Sequence, residues 1–213
     1  SIKDFYRIDL PDSNWDTITV PSNWEIQGFG EPIIRNIQYV FSSNPPYIDV
    51  DNPVGTYRRT FTVPRNWQER EVFLHFGSIY VNGQQVGMTK ASKTPAEFNV
   101  TNYLKEGENL LAVQIYRWHD GSYMEDQDFW RLTGIERDVF LQAYPKLTIW
   151  DFFLKSSLDS TYKNGIFNAT VDLREFTGNN VKKGTLKLEL LDKTGKIVLS
   201  QQKKFDIEDE FTQ

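Results

Sequence analysis

Between Arg117 and Val139 the chain reads RWHDGSYMEDQDFWRLTGIERDV, and the carboxylates of Asp120, Glu125, Asp126 and Asp128 crowd together there among Arg117, Trp118, Trp130, Arg131 and Arg137. Carboxylates this close repel one another unless arginines, a cation or the hydroxyl groups of a ligand compensate them. Something positive or hydrogen-donating must therefore sit among them. Three chemistries meet that demand. Carboxylate–guanidinium pairs can anchor a loop. A calcium ion can collect the oxygens, although the spacing departs from the EF-hand pattern. A saccharide can also be held, with carboxylates and Asn bonding ring hydroxyls while Trp or Phe covers an apolar sugar face. Composition does not choose among the three. His75 falls in a predicted strand and His119 adjoins Asp120, but no serine or cysteine arrangement completes a triad around either, so both read as structural.

The elements that must position this cluster are strands. Alternating and β-branched runs recur at Thr17 to Pro21, Thr56 to Val63, Glu71 to Phe76, Ile79 to Val86, Asn109 to Arg117 and Asp138 to Tyr144. Asn82-Gly83 favours a tight hairpin turn, and Glu106-Gly107-Glu108-Asn109 precedes the next strand. Helical periodicity is nearly missing; the exception is one capped turn over Thr101 to Lys105. Glu31 to Asn52 is long and irregular, holding Pro32, Pro45 and Pro46 beside Tyr39, Phe41 and Tyr47, and a stretch of that length and aromatic content reads as a functional loop. Trp15, Trp24 and Trp67 read as core or sandwich-edge residues.

Composition excludes several classes of function. With 24 Lys and Arg against 29 Asp and Glu the net charge is −5, and no basic run can follow a phosphate backbone, so no nucleic-acid partner is expected. Cysteine is absent, which removes disulfides, thiolate zinc sites and cysteine nucleophiles while leaving the compartment open. No stretch approaches the roughly 20 apolar residues of a membrane span. Aromatic residues make up 15%, which suits β-sandwich packing first and stacking on sugars second.

The 213 residues suit two modest domains. The texture changes at Tyr144-Pro145-Lys146, and strands are predicted at Leu147 to Ser156, Gly165 to Arg174, Lys183 to Leu191 and Lys196 to Phe205. These resemble the opening of an immunoglobulin-type β-sandwich, which needs about seven strands. The second domain therefore reads as incomplete and the chain as a piece of something longer, since an open sandwich exposes an unpaired edge.

The runs VPSNWEIQGFGEPIIRNIQYVF (20 to 41), NPPYIDVDNPVGTYRRTFTVP (44 to 64), VNGQQVG (81 to 87) and the whole of 93 to 141, with PAEF and DGSYMEDQDFWRLTGIERDV, closely resemble the N-terminal part of glycoside hydrolase family 2 β-galactosidases. Related β-glucuronidases and β-mannosidases share PSNW and GIxRDV, whereas the EDQDxW block is typical of the β-galactosidase branch. The resemblance implies an all-β chain: a galactose-binding-like jelly-roll β-sandwich over residues 1–145, with a sugar-binding role, then an incomplete immunoglobulin-like β-sandwich over 146–213. In the full-length enzyme a (β/α)₈ barrel would follow, carrying the two catalytic glutamates of a retaining mechanism. No catalytic residue is expected in this chain. The implied partners are β-galactoside saccharides, the enzyme's own barrel and, in a homo-oligomer, other copies of it. A stand-alone carbohydrate-binding module, or part of a family 2 β-glucuronidase or β-mannosidase, is the alternative.

Two substrate-binding positions carry over. Asn36 in IIRNIQY matches an asparagine that reaches into the family's active site, and an amide supplies both donor and acceptor. Asp128, the last aspartate of EDQD, matches one that contacts galactose hydroxyls and helps hold a sodium ion. Asp120 matches a contributor to a magnesium site, but that site uses a glutamine where this chain has Lys90, and acidic ligands from a more N-terminal segment. A lysine ammonium cannot ligate a metal and repels one, so Lys90 opposes magnesium and offers Asp120 a basic partner instead. The stretch between His75 and Val81 is also shorter than in the family, which has a further strand segment there.

Overall fold

Period-two alternation of apolar and polar residues makes sheet the dominant state of this chain. The computed structural model describes residues 2–33, 41–42, 44–75, 79–90, 94–125, 130–176, 178 and 183–206. Its strands are β1 Ser22–Asn23, β2 Val54–Thr62, β3 Glu71–His75, β4 Ile79–Val81, β5 Gln84–Gly87, β6 Glu97–Asn99, β7 Glu108–Tyr116, β8 Gly134–Ile135, β9 Leu141–Tyr144, β10 Leu147–Leu158, β11 Gly165–Glu175, β12 Lys183–Leu191 and β13 Ile197–Asp206. A single turn of α-helix, α1, spans Ser122–Glu125. The chain divides into two units, Ser1–Ala143 and Tyr144–Gln213. The shortened stretch before Val81 includes residues 76–78, which lie outside the described residues.

The first unit is a β-sandwich. One sheet has the order β2-β7-β4-β5, the other β6-β3-β9, and β1 pairs with β8. Val72 and Leu74 of β3 meet Ile79 and Val81 of β4, Val113 of β7 and Val100 in one buried cluster, so the core lies between the two sheets. Strand β4 shows why alternation works. Ile79 and Val81 are fully buried, while Tyr80 between them turns to the other face, stacks on Tyr6 at 4.8 Å and meets the edge of Phe5 at 5.1 Å.

That outer face is locked by Arg58 of β2, whose side chain is 4% exposed. It donates from Nε to Asp12 Oδ2 at 2.7 Å, from Nη1 to the carbonyls of Arg7 at 2.9 Å and Phe5, and from Nη2 to that of Leu10 at 3.4 Å. The fixed guanidinium fork thus gathers the carbonyls of an N-terminal segment that has no strand partner of its own. Asn109 plays the matching role at the start of β7. Fully buried, it donates to the carbonyls of Lys105 and Gly107 and accepts from Lys105 N and Asn82 Nδ2.

Thr17 to Pro21 does not form the strand that its pattern predicts. The amide of Gln27 takes the place of a strand partner, accepting from Thr19 N at 3.0 Å and donating to Thr19 O at 2.8 Å. A side chain has satisfied the backbone groups that a ladder would otherwise use.

In the second unit, β10 pairs with β11 and β12 with β13, both antiparallel. Both turns use one device, an aspartate two residues before a threonine. Asp159 accepts from the backbone and hydroxyl of Thr161 and from Asn164 Nδ2, and Asp192 accepts from the backbone and hydroxyl of Thr194. The donated bonds, those of Thr161 and of Thr194 foremost, hold both carboxyls below the usual carboxylate range. A depressed folded-state pKa gives stability that is present above the unfolded value of about 4 and is lost as pH falls below it. The thermal midpoint of this unit is therefore expected to drop on acidification from about pH 5 towards pH 2, and Asp159→Asn with Asp192→Asn should flatten that drop. An unchanged slope in the double variant would contradict the assignment.

Candidate functional site

The polar segment that follows β7 lines a groove of about 1230 Å³ on the first unit. Lys90, Glu97, Asp120, Glu125, Trp130 and Arg137 are among its walls. Trp130 is 59% exposed, and an open indole beside carboxylates and guanidinium groups offers both an apolar face and hydrogen-bonding partners. A ligand rich in hydroxyls fits such a surface.

Asp120 sits where β7 gives way to α1, and its two oxygens are engaged separately. Lys90, from the segment after β5, donates to Oδ2 at 2.8 Å, and Gly121 N donates to Oδ1 at 3.0 Å. The Lys90 ammonium is the chief cause that holds this carboxyl below its usual range. His119 Nδ1 accepts the same Gly121 N–H at 3.1 Å and lies 3.6 Å from Asp120 Oδ1, while its Nε2 lies 3.3 Å from Glu125 Oε2. Among the described residues no three His, Asp or Glu side chains gather so as to hold a metal ion. An ammonium bound to the one matched carboxylate is the wrong donor set for magnesium, and these residues do not fit that ion.

The arginines of the cluster do not serve its carboxylates in the simplest way. Arg117, whose side chain is 7% exposed, turns inward to lie 3.6 Å from Glu25 Oε1, and it donates to the carbonyls of Glu31 at 3.2 Å and Arg131 at 3.0 Å. Glu25 has no exposed side-chain surface, and its Oε2 accepts Thr133 N at 2.9 Å. The Tyr57 phenol beside them is pushed up to about 12 by burial first and by the Glu25 charge second, so it stays protonated. Arg117 and Thr133 line the groove, and through them the buried Glu25 ties the PSNW segment to the end of β7 and to the residues around Arg131. Nothing in the sequence singled out Glu25, which sits between Trp24 and Ile26, or named its partner.

Asn36 and Asp128 lie outside the described residues. The residues that flank them are described, and they meet. Ile33 forms a bridge with Arg131, whose N–H donates to Ile33 O at 3.1 Å. Phe41, 6% exposed, packs edge-on against Trp118 at 5.6 Å and Tyr123 at 4.8 Å. The Tyr123 hydroxyl lies 2.7 Å from both Ser42 O and Tyr47 O and accepts Asn44 N–H at 3.3 Å. The segments on either side of 34–40 are thus pinned to those on either side of 126–129. His75 stacks on Phe140 at 4.3 Å and places Nδ1 3.3 Å from Glu97 Oε1.

Residues 2–145 match the family described as "Glycosyl hydrolases family 2, sugar binding domain". The chain belongs to glycoside hydrolase family 2. Among its relatives, a β-galactosidase of Priestia megaterium is 39% identical over 209 residues, which are 93% of this chain and 20% of that protein. One from Vibrio cholerae is 42% identical over 200 residues, 91% of this chain and 19% of its own length. The chain thus spans about a fifth of the length of these curated relatives. In fold it is similar to a Bacteroides uniformis β-glucuronidase, with a TM-score of 0.72 and 21% identity over 98% of this chain and 24% of that one. A Bacteroides vulgatus β-glycosidase gives 0.71 and 22% over 96% and 26%. The family 2 architecture is therefore the β-sandwich described above, and no helix among the described residues is long and apolar enough to cross a membrane.

Proposed function

We propose that this chain is the N-terminal, sugar-binding part of a retaining β-galactosidase that removes terminal non-reducing β-D-galactose, with the catalytic glutamates in a (β/α)₈ barrel elsewhere in the protein. The observation that carries this reading is the identity of about two in five residues with β-galactosidases over nine-tenths of the chain. In retaining glycosidases one carboxylic acid protonates the leaving oxygen and a carboxylate about 5–5.5 Å away attacks the anomeric carbon. This chain's task is to hold the sugar for that pair. Asn36 and Asp128 bond galactose hydroxyls, and Asp128 also holds sodium as a hard oxygen donor; the contacts between the segments that flank them, Ile33 with Arg131 and Phe41 with Tyr123, support this reading.

The test is hydrolysis of chromogenic β-galactoside, β-glucuronide and β-mannoside by the full-length protein and by this chain alone, each with and without sodium. Activity is expected from the full-length protein only, on the galactoside only, and enhanced by sodium. Asp128→Ala is expected to lower kcat/KM about ten- to a hundredfold, or roughly 1.4–2.7 kcal/mol of transition-state binding, and to abolish the sodium response. Wild-type rates in that variant would sink the assignment of Asp128. Cleavage of the glucuronide instead would move the protein to the branch of its structural neighbours, and sugar binding without hydrolysis would make it a carbohydrate-binding module.

A further inference from the structure

A magnesium ion implied by the resemblance at Asp120 meets an ammonium that already occupies the carboxylate. We infer that Lys90 is a tethered cation which takes the place of a divalent ion at Asp120, so that this corner of the groove is neutralised from within the chain and is closed to metal. Three observations carry this. Lys90 Nζ lies 2.8 Å from Asp120 Oδ2, at the distance of a charge-assisted hydrogen bond. Oδ1 is used by Gly121 N, which leaves the carboxylate no oxygen free of a hydrogen bond. The two side chains are 56% and 42% exposed.

Exposure matters to the argument. A solvated ion pair between residues this open adds little to stability, because water screens it and both side chains lose rotamer freedom. Its consequence is occupancy instead. The ammonium is attached to the chain and is always present at high effective concentration, whereas a free ion must be supplied from solution. Magnesium also demands about six oxygen ligands at about 2.1 Å and keeps several waters, and a lysine in its ligand shell supplies no lone pair and adds like charge. The segment after β5 and the turn before α1 are thereby clipped together without a cofactor that a chelator can remove. The inference concerns ion occupancy alone and stands or falls separately from the galactosidase reading.

The experiment is a count of bound Mn²⁺ by electron paramagnetic resonance on chelator-stripped full-length protein, with wild type, Asp120→Asn, Lys90→Gln, Lys90→Arg and the double variant Lys90→Gln/Asp120→Asn. Wild type and Asp120→Asn are expected to hold equal numbers of ions. Lys90→Gln removes the charge and supplies an amide oxygen, so it is expected to gain one Mn²⁺ per chain that wild type does not bind. The double variant should lose that gain, and Lys90→Arg, which keeps the charge, should show none. A wild-type count that falls by one in Asp120→Asn would overturn the inference, and so would Lys90→Gln without a gain or Lys90→Arg with one. Should Lys90→Gln fail to fold, the comparison of wild type with Asp120→Asn still decides.

Discussion

Replacing Glu25 with alanine is expected to lower the stability of the first unit by about 3–5 kcal/mol, the range for breaking one side of a buried ion pair. The side chain of Glu25 is wholly buried and that of Arg117 nearly so. Their separation of 3.6 Å is longer than a hydrogen bond, so the pair is worth less as an attraction than it costs when one member is lost. Alanine would leave the nearly buried guanidinium with two carbonyl acceptors and no charge to balance it, and would strand Thr133 N, which Glu25 Oε2 accepts at 2.9 Å. Glu25→Gln separates the two effects, since its amide oxygen still serves Thr133 while the charge is gone, and it should fall between wild type and alanine. Urea unfolding followed by tryptophan fluorescence measures both. A loss below about 1 kcal/mol for alanine would mean that water reaches Arg117.

Alternation was sufficient to read most strands of this chain, because β2, β7 and β10 to β13 are long and carry several apolar–polar repeats each. It failed where few residues carry the pattern. β6 has only three residues and follows Pro95, and α1 is one turn long, so neither offers a period to detect. At Thr17 to Pro21 the pattern was present and the partner was not: Gln27 supplies from a side chain what a neighbouring strand would have supplied.

The chemistry of the groove was legible by residue type and not by pairing. That the carboxylates after β7 need positive charge was correct for Asp120, yet its partner Lys90 comes from the segment after β5, and β5 is not a neighbour of β7 in the sheet. Arg117, which reads as a partner for the nearby aspartates, immediately follows β7 and turns instead to Glu25, a residue 92 positions earlier that no local pattern connects to it. Arg58 carried no sequence signal at all. Its role depends on the N-terminal carbonyls that reach it, and such long-range backbone bonds leave no periodicity.

Gly134→Ala is the other substitution expected to have a large effect, because Gly134 lies where the GIERDV and PSNW segments pair. Gly134 of β8 pairs with Asn23 of β1 and has φ = 152°, in the region that residues with a side chain avoid. A Cβ added there would strike Ser22 O and come to 2.9 Å from Asn23 Cα and 3.1 Å from Trp24 N. All three are backbone or main-chain atoms of the paired segment, so no side-chain rotation relieves the clash and β1 must move off β8. That movement would break the bond from Trp24 N to Thr133 O, 2.8 Å long, and shift the buried Trp24 indole. Backbone strain of about 1–3 kcal/mol and an overpacking cost of about 1–3 kcal/mol together predict a loss of roughly 2–6 kcal/mol. Gly28→Ala is the control. Gly28 also has positive φ, 91°, but nothing lies within 4 Å of an added Cβ, so its loss isolates the backbone contribution. If thermal unfolding finds the two variants equally destabilised, the close approach of β1 to β8 is not what requires glycine at 134; if Gly134→Ala loses at least twice as much, the contact between the two segments is the reason.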